Sequence, residues 1–220
     1  MQWTAGPRFM EKKMKKCSII VFIESDAKKL MTQVDRDSYI ICGDIGITYA
    51  LDAGIHPDLV IGDFDSYKGS LPDNTEIIRL PEEKDETDTN YCVNYAIENG
   101  FKDITIYGGL GGRFDHSVSN IQTIAGAASK AVKISMVTTD NIVYTVENGT
   151  LTLPKTEDAY FSVFSMSDVS EGISIQGAKY CVEDFTMTRS YPIGTSNEFK
   201  DSNAVISVES GTLLVIVSKK

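Results

Sequence analysis

Two aspartates, Asp63 and Asp65, are separated by a single residue and directly follow the apolar stretch "PDLVIG". In an extended chain, alternate residues point to the same side and their Cα atoms lie about 6.5–7 Å apart. Open α/β sheets bind ligands beyond the carboxyl ends of their strands, and Mg²⁺ takes one or two carboxylates together with substrate phosphates. The pair therefore predicts a magnesium site, with an Asp-rich turn at the end of a strand as the alternative.

The stretch "EKDETDTN" carries a second group of acids just before a predicted helix. Asp85 and Asp88 are three residues apart and can share one face as the helix begins, which would bring both acids to a metal site. Asp85 or Thr87 could equally serve as the N-cap. Lys84 could contact a phosphate or remain solvated. Asp44, at another strand end in "CGDIGI", could be a ligand or a cap.

A third candidate is the stretch "GGLGGRFDHSVSN", in which four glycines occupy five positions before an arginine. Glycines let backbone N–H groups approach a phosphate, and the following helix offers its positive N-terminus. The arginine can bind phosphate oxygens in a bidentate manner. Asp115 could cap the helix or ligate a metal. The pattern matches neither the dinucleotide-binding nor the P-loop motif. The residues expected to bind the nucleotide here are Gly109, Gly111, Gly112, Arg113, Asp115, His116 and Asn120.

The elements that must position these groups follow from hydrophobic patterning. Up to about residue 140, short apolar runs from "CSIIVFI" to "VKISMVTT" alternate with helical stretches. This alternation predicts a Rossmann-like parallel sheet with helices on both faces, and it brings the candidate clusters to one edge of that sheet. Later runs such as "AYFSVFSM" and "TLLVIVS" are short and β-branched or aromatic, which predicts a small antiparallel β-sandwich. We therefore expect a tail over residues 1–16, an α/β domain over 17–140 and an all-β domain over 148–220.

Composition narrows the classes of function. The 220 residues carry a net charge of −10, which argues against binding to a nucleic-acid backbone or to an anionic membrane. The four cysteines form no CxxC pair and no stretch is long enough to span a membrane, so we expect a cytoplasmic protein.

Taken together and in this order, "GDIG", "PDLVIGDFDS", "KDETDTN", "GGLGGRFDH" and "GTSNEF" resemble the bacterial-type thiamine pyrophosphokinases over most of residues 17–218. The resemblance implies an N-terminal domain that binds ATP and Mg²⁺ and a C-terminal β-sandwich. It also implies a homodimer that holds thiamine between the nucleotide domain of one subunit and the β domain of the other. The implied reaction yields thiamine diphosphate and AMP.

The resemblance also implies roles for individual residues. The acids of the magnesium site would be Asp63, Asp65 and Asp88, supported by Asp44, Asp85 and Asp115. The catalytic residues would be Asp63, Asp65, Asp88 and Arg113, with Arg113, His116 and Asn120 at the nucleotide. Thiamine would meet Ser196 and Asn197, which from the residues alone could also form a hairpin turn, and any stacking would come from Phe185, Tyr191 or Phe199. One departure is Gly43-Asp44-Ile45-Gly46-Ile47, where the family usually reads Ala-Asp-Gly-Gly-Ala.

Three alternatives stay open at the level of the sequence. A phosphatase or phosphotransferase with an aspartyl nucleophile also places Asp-x-Asp after an apolar strand. A non-catalytic nucleotide sensor would bind ATP without releasing AMP. A related pyrophosphokinase would act on another primary alcohol.

Overall fold

The computed structural model describes residues 16–220 except residues 25, 66, 82 and 201. Residues 1–15 of the predicted tail lie outside the described residues, and Lys16 already belongs to the first strand. The chain divides into two compact units, the first ending at Thr123 and the second running from Ile124 to Lys220.

The first unit alternates strands and helices as the apolar runs predict. Its elements are β1 (Lys16–Ile20), α1 (Ala27–Met31), β2 (Tyr39–Gly43), α2 (Gly46–Asp52), β3 (Leu59–Gly62), β4 (Glu76–Arg79), α3 (Asp88–Glu98), β5 (Asp103–Tyr107) and α4 (Phe114–Ala128), the last of which ends in the second unit. The strands pair in parallel in the order β5-β1-β2-β3-β4. Strands β2 and β3 are almost wholly buried, which explains their near-continuous apolar sequence.

The strand order contains a topological switch point between β1 and β5. The chain builds the sheet outward from β1 through β2 and β3 to β4, and then returns to place β5 on the other side of β1. In open α/β sheets, ligands bind in the crevice at the carboxyl ends of two such strands, beside the loops that follow them. Gly109 N–H donates to the Phe22 carbonyl at 2.9 Å, which joins these two loops beside the crevice.

The second unit is antiparallel in all the pairings described within it. Its strands are β6 (Lys133–Val137), β7 (Asn141–Glu147), β8 (Thr150–Leu153), β9 (Ala159–Ser165), β10 (Val169–Gln176), β11 (Val182–Thr188), β12 (Gly194–Glu198), β13 (Ala204–Ser207) and β14 (Thr212–Lys219). One set of strands has the order β12-β9-β14-β7-β6, and a separate sheet has the order β11-β10-β13-β8. Phe161 and Val215 from the first set share a core with Ile173 and Ile206 from the second.

Strand β6, which the sequence placed at the end of the α/β region, pairs antiparallel with β7. The reason is the short connection between the two strands. Thr138 N–H donates to the Asn141 carbonyl at 2.8 Å, and Asn141 N–H donates to Thr138 Oγ1 at 3.0 Å. A tight turn reverses the chain, whereas a parallel pair needs a crossover of a dozen or more residues.

Within the described part of the chain, no helix combines the length and the apolar character that crossing a membrane requires.

Candidate active site

A cavity of about 660 Å³ lies in the first unit, where β1, β2, β3 and β5 end and α3 and α4 begin. It is lined by most of the residues that the sequence singled out, although they come from stretches far apart in the chain. These are Asp44, Asp63, Asp65, Lys84, Asp88, Gly109, Gly111, Arg113, His116 and Asn120. Three other predicted residues of this unit, Asp85, Gly112 and Asp115, are not part of the lining.

Three aspartates of this cavity are close enough to share one cation. Asp44, Asp63 and Asp65 each offer a carboxylate oxygen, and these oxygens lie within 4.8 Å of one another. Asp44 Oδ1 is buried and has no hydrogen-bond partner in the described part of the chain. Burial raises the pKa of Asp44, and the charges of Asp88, Asp63 and Asp65 add to the increase. A hard cation would remove this penalty, and carboxylate oxygens are the donors that Mg²⁺ prefers.

Asp44 adopts a left-handed backbone conformation where it meets the other two aspartates. Its φ is 41°, and its N–H donates to the Ile61 carbonyl of β3 at 2.8 Å. A side chain at Gly62 would bring its Cβ to 2.9 Å from the Cα of Asp44, so this strand must end in glycine for the loop after β2 to lie against it.

The Asp63-Phe64-Asp65 segment is a turn and not the extended strand end that the spacing predicted. Strand β3 ends at Gly62, Phe64 has a φ of 63°, and Asp65 N–H donates to Asp63 Oδ1 at 3.2 Å. The Arg79 guanidinium lies 4.8 Å from the centre of the Phe64 ring. The Asp-rich turn of the alternative interpretation is therefore present, and it places carboxylate oxygens of both aspartates within 4.8 Å of an Asp44 carboxylate oxygen.

Lys84 is enclosed by acids. Its Nζ donates to Asp63 Oδ2 at 2.7 Å and lies 3.0 Å from Asp88 Oδ1. Hydrogen bonding to Lys84 is the main reason that the pKa of Asp63 is lowered. Burial alone would lower the pKa of Lys84, but its hydrogen bonds and ion pairs with the two aspartates outweigh burial and raise it. Thr87 N-caps α3 by accepting from Asn90 N–H at 3.2 Å, which confirms one of the two predicted caps.

The glycine-rich stretch forms a loop that two side chains of α4 hold in place. Asn120 is buried and its amide donates to the Gly109 carbonyl at 2.7 Å, while Ser117 Oγ accepts from Gly111 N–H at 3.0 Å. Gly108 has a φ of 98°, and a Cβ there would collide with the Phe22 carbonyl. At this position the need for glycine comes from the close approach of the loop after β1.

Arg113 and Asp115 pair with each other at the start of α4. Arg113 donates through Nη2 to Asp115 Oδ2 at 2.6 Å and through Nε to Asp115 Oδ1 at 3.2 Å, and both side chains are mostly exposed. Asp115 Oδ1 also accepts from the N–H of His116 at 3.0 Å. The structure therefore places Asp115 at the helix start and outside the group formed by Asp44, Asp63 and Asp65.

Comparison with known proteins assigns the chain to a family. Residues 30–136 match the family model "Thiamin pyrophosphokinase, catalytic domain", and residues 148–213 match "Thiamin pyrophosphokinase, vitamin B1 binding domain". The thiamine pyrophosphokinase of Bacillus subtilis is 30% identical over 190 residues, which cover 84% of this chain and 89% of that protein. The chain belongs to the thiamine pyrophosphokinase family.

Solved structures agree with this membership. A crystal structure of thiamine pyrophosphokinase from Bacillus subtilis matches with a TM-score of 0.83 and 27% identity, covering 94% of this chain and 100% of that one. The thiamin pyrophosphokinase from Candida albicans matches with a TM-score of 0.70 at 18% identity, covering 94% of this chain and 89% of that one, which shows a shared fold.

The residues that the family resemblance assigned to thiamine lie in β12 of the second unit, so the hairpin-turn alternative is wrong. Asn197 is buried and its amide is already engaged. Its Oδ1 accepts from the N–H groups of Tyr180 at 3.0 Å and Glu198 at 2.9 Å, and its Nδ2 donates to the Tyr180 carbonyl at 2.8 Å. Ser196 is exposed and has a φ of 60°.

The three aromatic candidates for stacking on thiamine differ in burial. Phe199 packs on Phe161 with ring centres 5.0 Å apart, and Phe185 lies against the same core. Tyr191 is 66% exposed. Tyr191 is therefore the candidate whose ring is most open to a ligand.

Sequence reasoning missed Phe22, which lines the cavity, and Ser117, which holds the glycine-rich loop. Phe22 lines the cavity and is 45% exposed, although "CSIIVFI" suggested one buried strand. Strand β1 ends at Ile20, two residues before Phe22. For Ser117, the available signal was its position one turn into the helix that follows the glycines, where a hydroxyl can accept from a loop N–H.

Proposed function

We propose that this protein transfers a pyrophosphoryl group from ATP to the hydroxyl of thiamine, producing thiamine diphosphate and AMP. The observation that carries the proposal is one cavity, in a chain of the thiamine pyrophosphokinase family, that combines three neighbouring carboxylates with a glycine-rich loop and an arginine. Phosphoryl-type transfer depends mainly on positioning and on neutralising charge, and this set of residues supplies both.

We assign a Mg²⁺ site to Asp44, Asp63 and Asp65. The buried Oδ1 of Asp44, which has no partner among the described residues, supports the assignment, because a carboxylate oxygen withdrawn from water needs a cation or a donor. Mg²⁺ bound there would neutralise the phosphates of ATP and polarise the phosphorus under attack.

The nucleotide phosphates would be held by the glycine-rich loop and the start of α4, through Gly109, Gly111, Arg113, His116 and Asn120. Asn120 acts through the loop, since its amide already bonds the Gly109 carbonyl. The Arg113 side chain is 73% exposed and pairs with Asp115, so an incoming phosphate can replace that carboxylate at the guanidinium. Arg113 would then stabilise the charge that develops on the transferred group.

The bond changes follow from the products. The hydroxyl oxygen of thiamine forms a bond to the β-phosphorus of ATP, while the bond from that phosphorus to the oxygen bridging it to the α-phosphorus breaks. AMP leaves with the electron pair of the broken bond. The hydroxyl proton goes to a carboxylate, for which Asp65 and Asp88 are the candidates at the cavity.

For the chain as a whole, we infer a Rossmann-like ATP- and Mg²⁺-binding domain over residues 17–140 and a thiamine-binding β-sandwich over 148–220. The core shared by two antiparallel sheets in the second unit supports the sandwich. We also infer a homodimer, and light scattering tests it directly. A mass close to twice 24.2 kDa is expected, and a mass of 24.2 kDa at working concentration contradicts it.

The decisive experiment incubates the protein with ATP, Mg²⁺ and thiamine and separates the nucleotides and thiamine phosphates. AMP and thiamine diphosphate in equal amounts are expected, with Asp63→Asn strongly impaired. ADP with thiamine monophosphate would contradict pyrophosphoryl transfer, as would phosphate bound covalently to Asp63. ATP binding without AMP release would indicate a nucleotide sensor. AMP release only in the presence of another alcohol would identify that alcohol, and not thiamine, as the substrate.

A further inference from the structure

Lys84 connects two elements that meet at the cavity. Asp63 follows the end of β3, and Asp88 is the first residue of α3. The Lys84 ammonium lies between them, 2.7 Å from Asp63 Oδ2 and 3.0 Å from Asp88 Oδ1. The side chains of Lys84 and Asp63 are only 14% and 12% exposed, so water screens this pair weakly. One short charged bridge therefore holds the acidic turn against the start of the helix.

A lysine that serves as a phosphate ligand presents its ammonium to the space that the phosphate will occupy. The Lys84 ammonium is instead directed to two carboxylates, and one of them belongs to the group that can share a cation. Five acids line the cavity, so a positive charge at this point offsets their mutual repulsion. They are Asp44, Asp63, Asp65, Glu86 and Asp88.

We propose that Lys84 is a positioning residue that acts as an internal cation for Asp63 and Asp88, and not as a ligand of the ATP phosphates. It orients the Asp63 carboxylate so that Oδ2 faces Lys84, while Oδ1, which accepts the N–H of Asp65, uses its second lone pair for a divalent cation beside Asp44 and Asp65. The proposal rests on the proposed function for its catalytic consequence, but the lysine bridge itself does not depend on thiamine as substrate.

This role has a consequence that separates it from phosphate binding. The fixed positive charge of Lys84 beside Asp63 opposes a divalent cation that binds the same carboxylate. Removing the charge should therefore tighten cation binding to the nucleotide-free protein. The same change should slow the reaction, because Asp63 loses its fixed orientation. A phosphate ligand predicts a different pattern, in which the KM for ATP rises and the affinity for the cation alone stays the same.

The test compares Lys84→Met, which keeps the length of the side chain, with Lys84→Arg, which keeps the charge. Lys102→Met is the matched control, since Lys102 is exposed, outside the cavity lining, and loses the same unit of charge. Mn²⁺ binding to each nucleotide-free protein is measured by electron paramagnetic resonance. The kcat and KM for ATP are measured with thiamine, and circular dichroism verifies folding.

For Lys84→Met we expect Mn²⁺ affinity to rise by about tenfold, and kcat to fall by about tenfold or more with the KM for ATP within about twofold of wild type. Lys84→Arg and Lys102→Met should keep the wild-type Mn²⁺ affinity. Unchanged or weaker Mn²⁺ binding in folded Lys84→Met overturns the proposal, as does a large rise in the KM for ATP alone. If wild type forms no AMP, the proposed function fails, while the Mn²⁺ comparison still decides the role of Lys84.

Discussion

At the scale of single residues, Asp44 shows how burial prepares an acid for a cation. Its Oδ1 is buried and unpartnered within the described residues, and burial followed by neighbouring acids raises its pKa. An acid whose pKa is raised by folding makes the folded state bind more protons than the unfolded state. The metal-free protein therefore loses stability as the pH rises above the ordinary value of 3.8 for this group.

Asp44→Asn should therefore stabilise the metal-free protein at neutral pH and weaken cation binding. We expect its Tm to rise by about 2–4 °C without divalent cations, because a buried charge is removed. Mn²⁺ affinity should fall by about tenfold or more, which corresponds to about 1.4 kcal/mol. Thermal unfolding with and without Mn²⁺ measures both effects. Undiminished Mn²⁺ binding by the variant would remove Asp44 from the proposed site.

Glu198 provides a pH prediction in the second unit. Hydrogen bonds from Lys179 at 2.7 Å and Lys220 at 2.9 Å lower the pKa of Glu198 to about 2 from its ordinary 4.5. Because the folded pKa is depressed, any stabilisation is complete above pH 4.5 and disappears as the pH falls toward 2.

Carboxyl chemical shifts measured by NMR titration should give this low pKa in wild type. Lys179→Met, which removes the first of these donors, should move it toward the ordinary value. An ordinary pKa for Glu198 in the wild-type protein would show that this partly exposed group does not keep the two lysines as partners in solution.

At the scale of elements, glycines decide how closely loops and helices approach the strands. Gly46 is the first residue of α2, and a Cβ there would collide with the Ile20 carbonyl at the end of β1. Gly46 is the second glycine of "GDIG", and this close approach to β1 explains the glycine without reference to a ligand. Gly126 in α4 is the contrasting case, since a Cβ there would meet nothing within 4 Å.

The two helical glycines should respond oppositely to alanine. Gly46→Ala should destabilise the protein by at least about 2 kcal/mol, because backbone must move to admit the methyl group. Gly126→Ala should stabilise it by about 0.5–1 kcal/mol, because alanine has the higher helix propensity and the site is exposed. Urea unfolding followed by circular dichroism measures both changes. Equal effects of the two substitutions would contradict the close packing of α2 against β1.

At the scale of the whole molecule, the boundary between the α/β and all-β sequence patterns does not coincide with the boundary between the two compact units. The sequence texture changes near residues 138–148, whereas the second compact unit starts at Ile124, within α4. Strand β7 pairs with both β6 and β14, and its pairing with β14 covers seven residue pairs, so the antiparallel set depends on residues before 148.

Two fragments should therefore differ in stability. A fragment of residues 124–220 should unfold in a cooperative transition, whereas a fragment of 148–220 should be markedly less stable, since it leaves the long β14 strand unpaired on one side. Urea titrations of the two fragments, monitored by circular dichroism, test this. Equal stability of the fragments would favour the boundary near residue 148.

Part of the site followed from sequence because its signals are local. "PDLVIGDFDS" places two carboxylates at a strand end, and the glycines before Arg113 mark a loop that opens a helix, so both were predictable from patterns of about ten residues. One outcome was not local, the engagement of Lys84 by Asp63, which is 21 positions away in the chain. The turn at Phe64 and the pairing of Asp115 with Arg113 are local, but the sequence also allowed an extended strand end and a metal ligand at these positions.

By itself, the sequence determined the order and type of the main elements and the chemical character of the site. Apolar periodicity and the positions of glycine and aspartate express both within short windows. Only the tertiary structure decided which acids meet. Asp44 and Asp63 lie nineteen positions apart in the printed sequence and come together because β2 and β3 are adjacent and Gly62 has no side chain to separate them. Lys84 joins Asp63 at the end of β3 to Asp88 at the start of α3, and its contact with Asp63, 21 positions away, is one that no local pattern encodes.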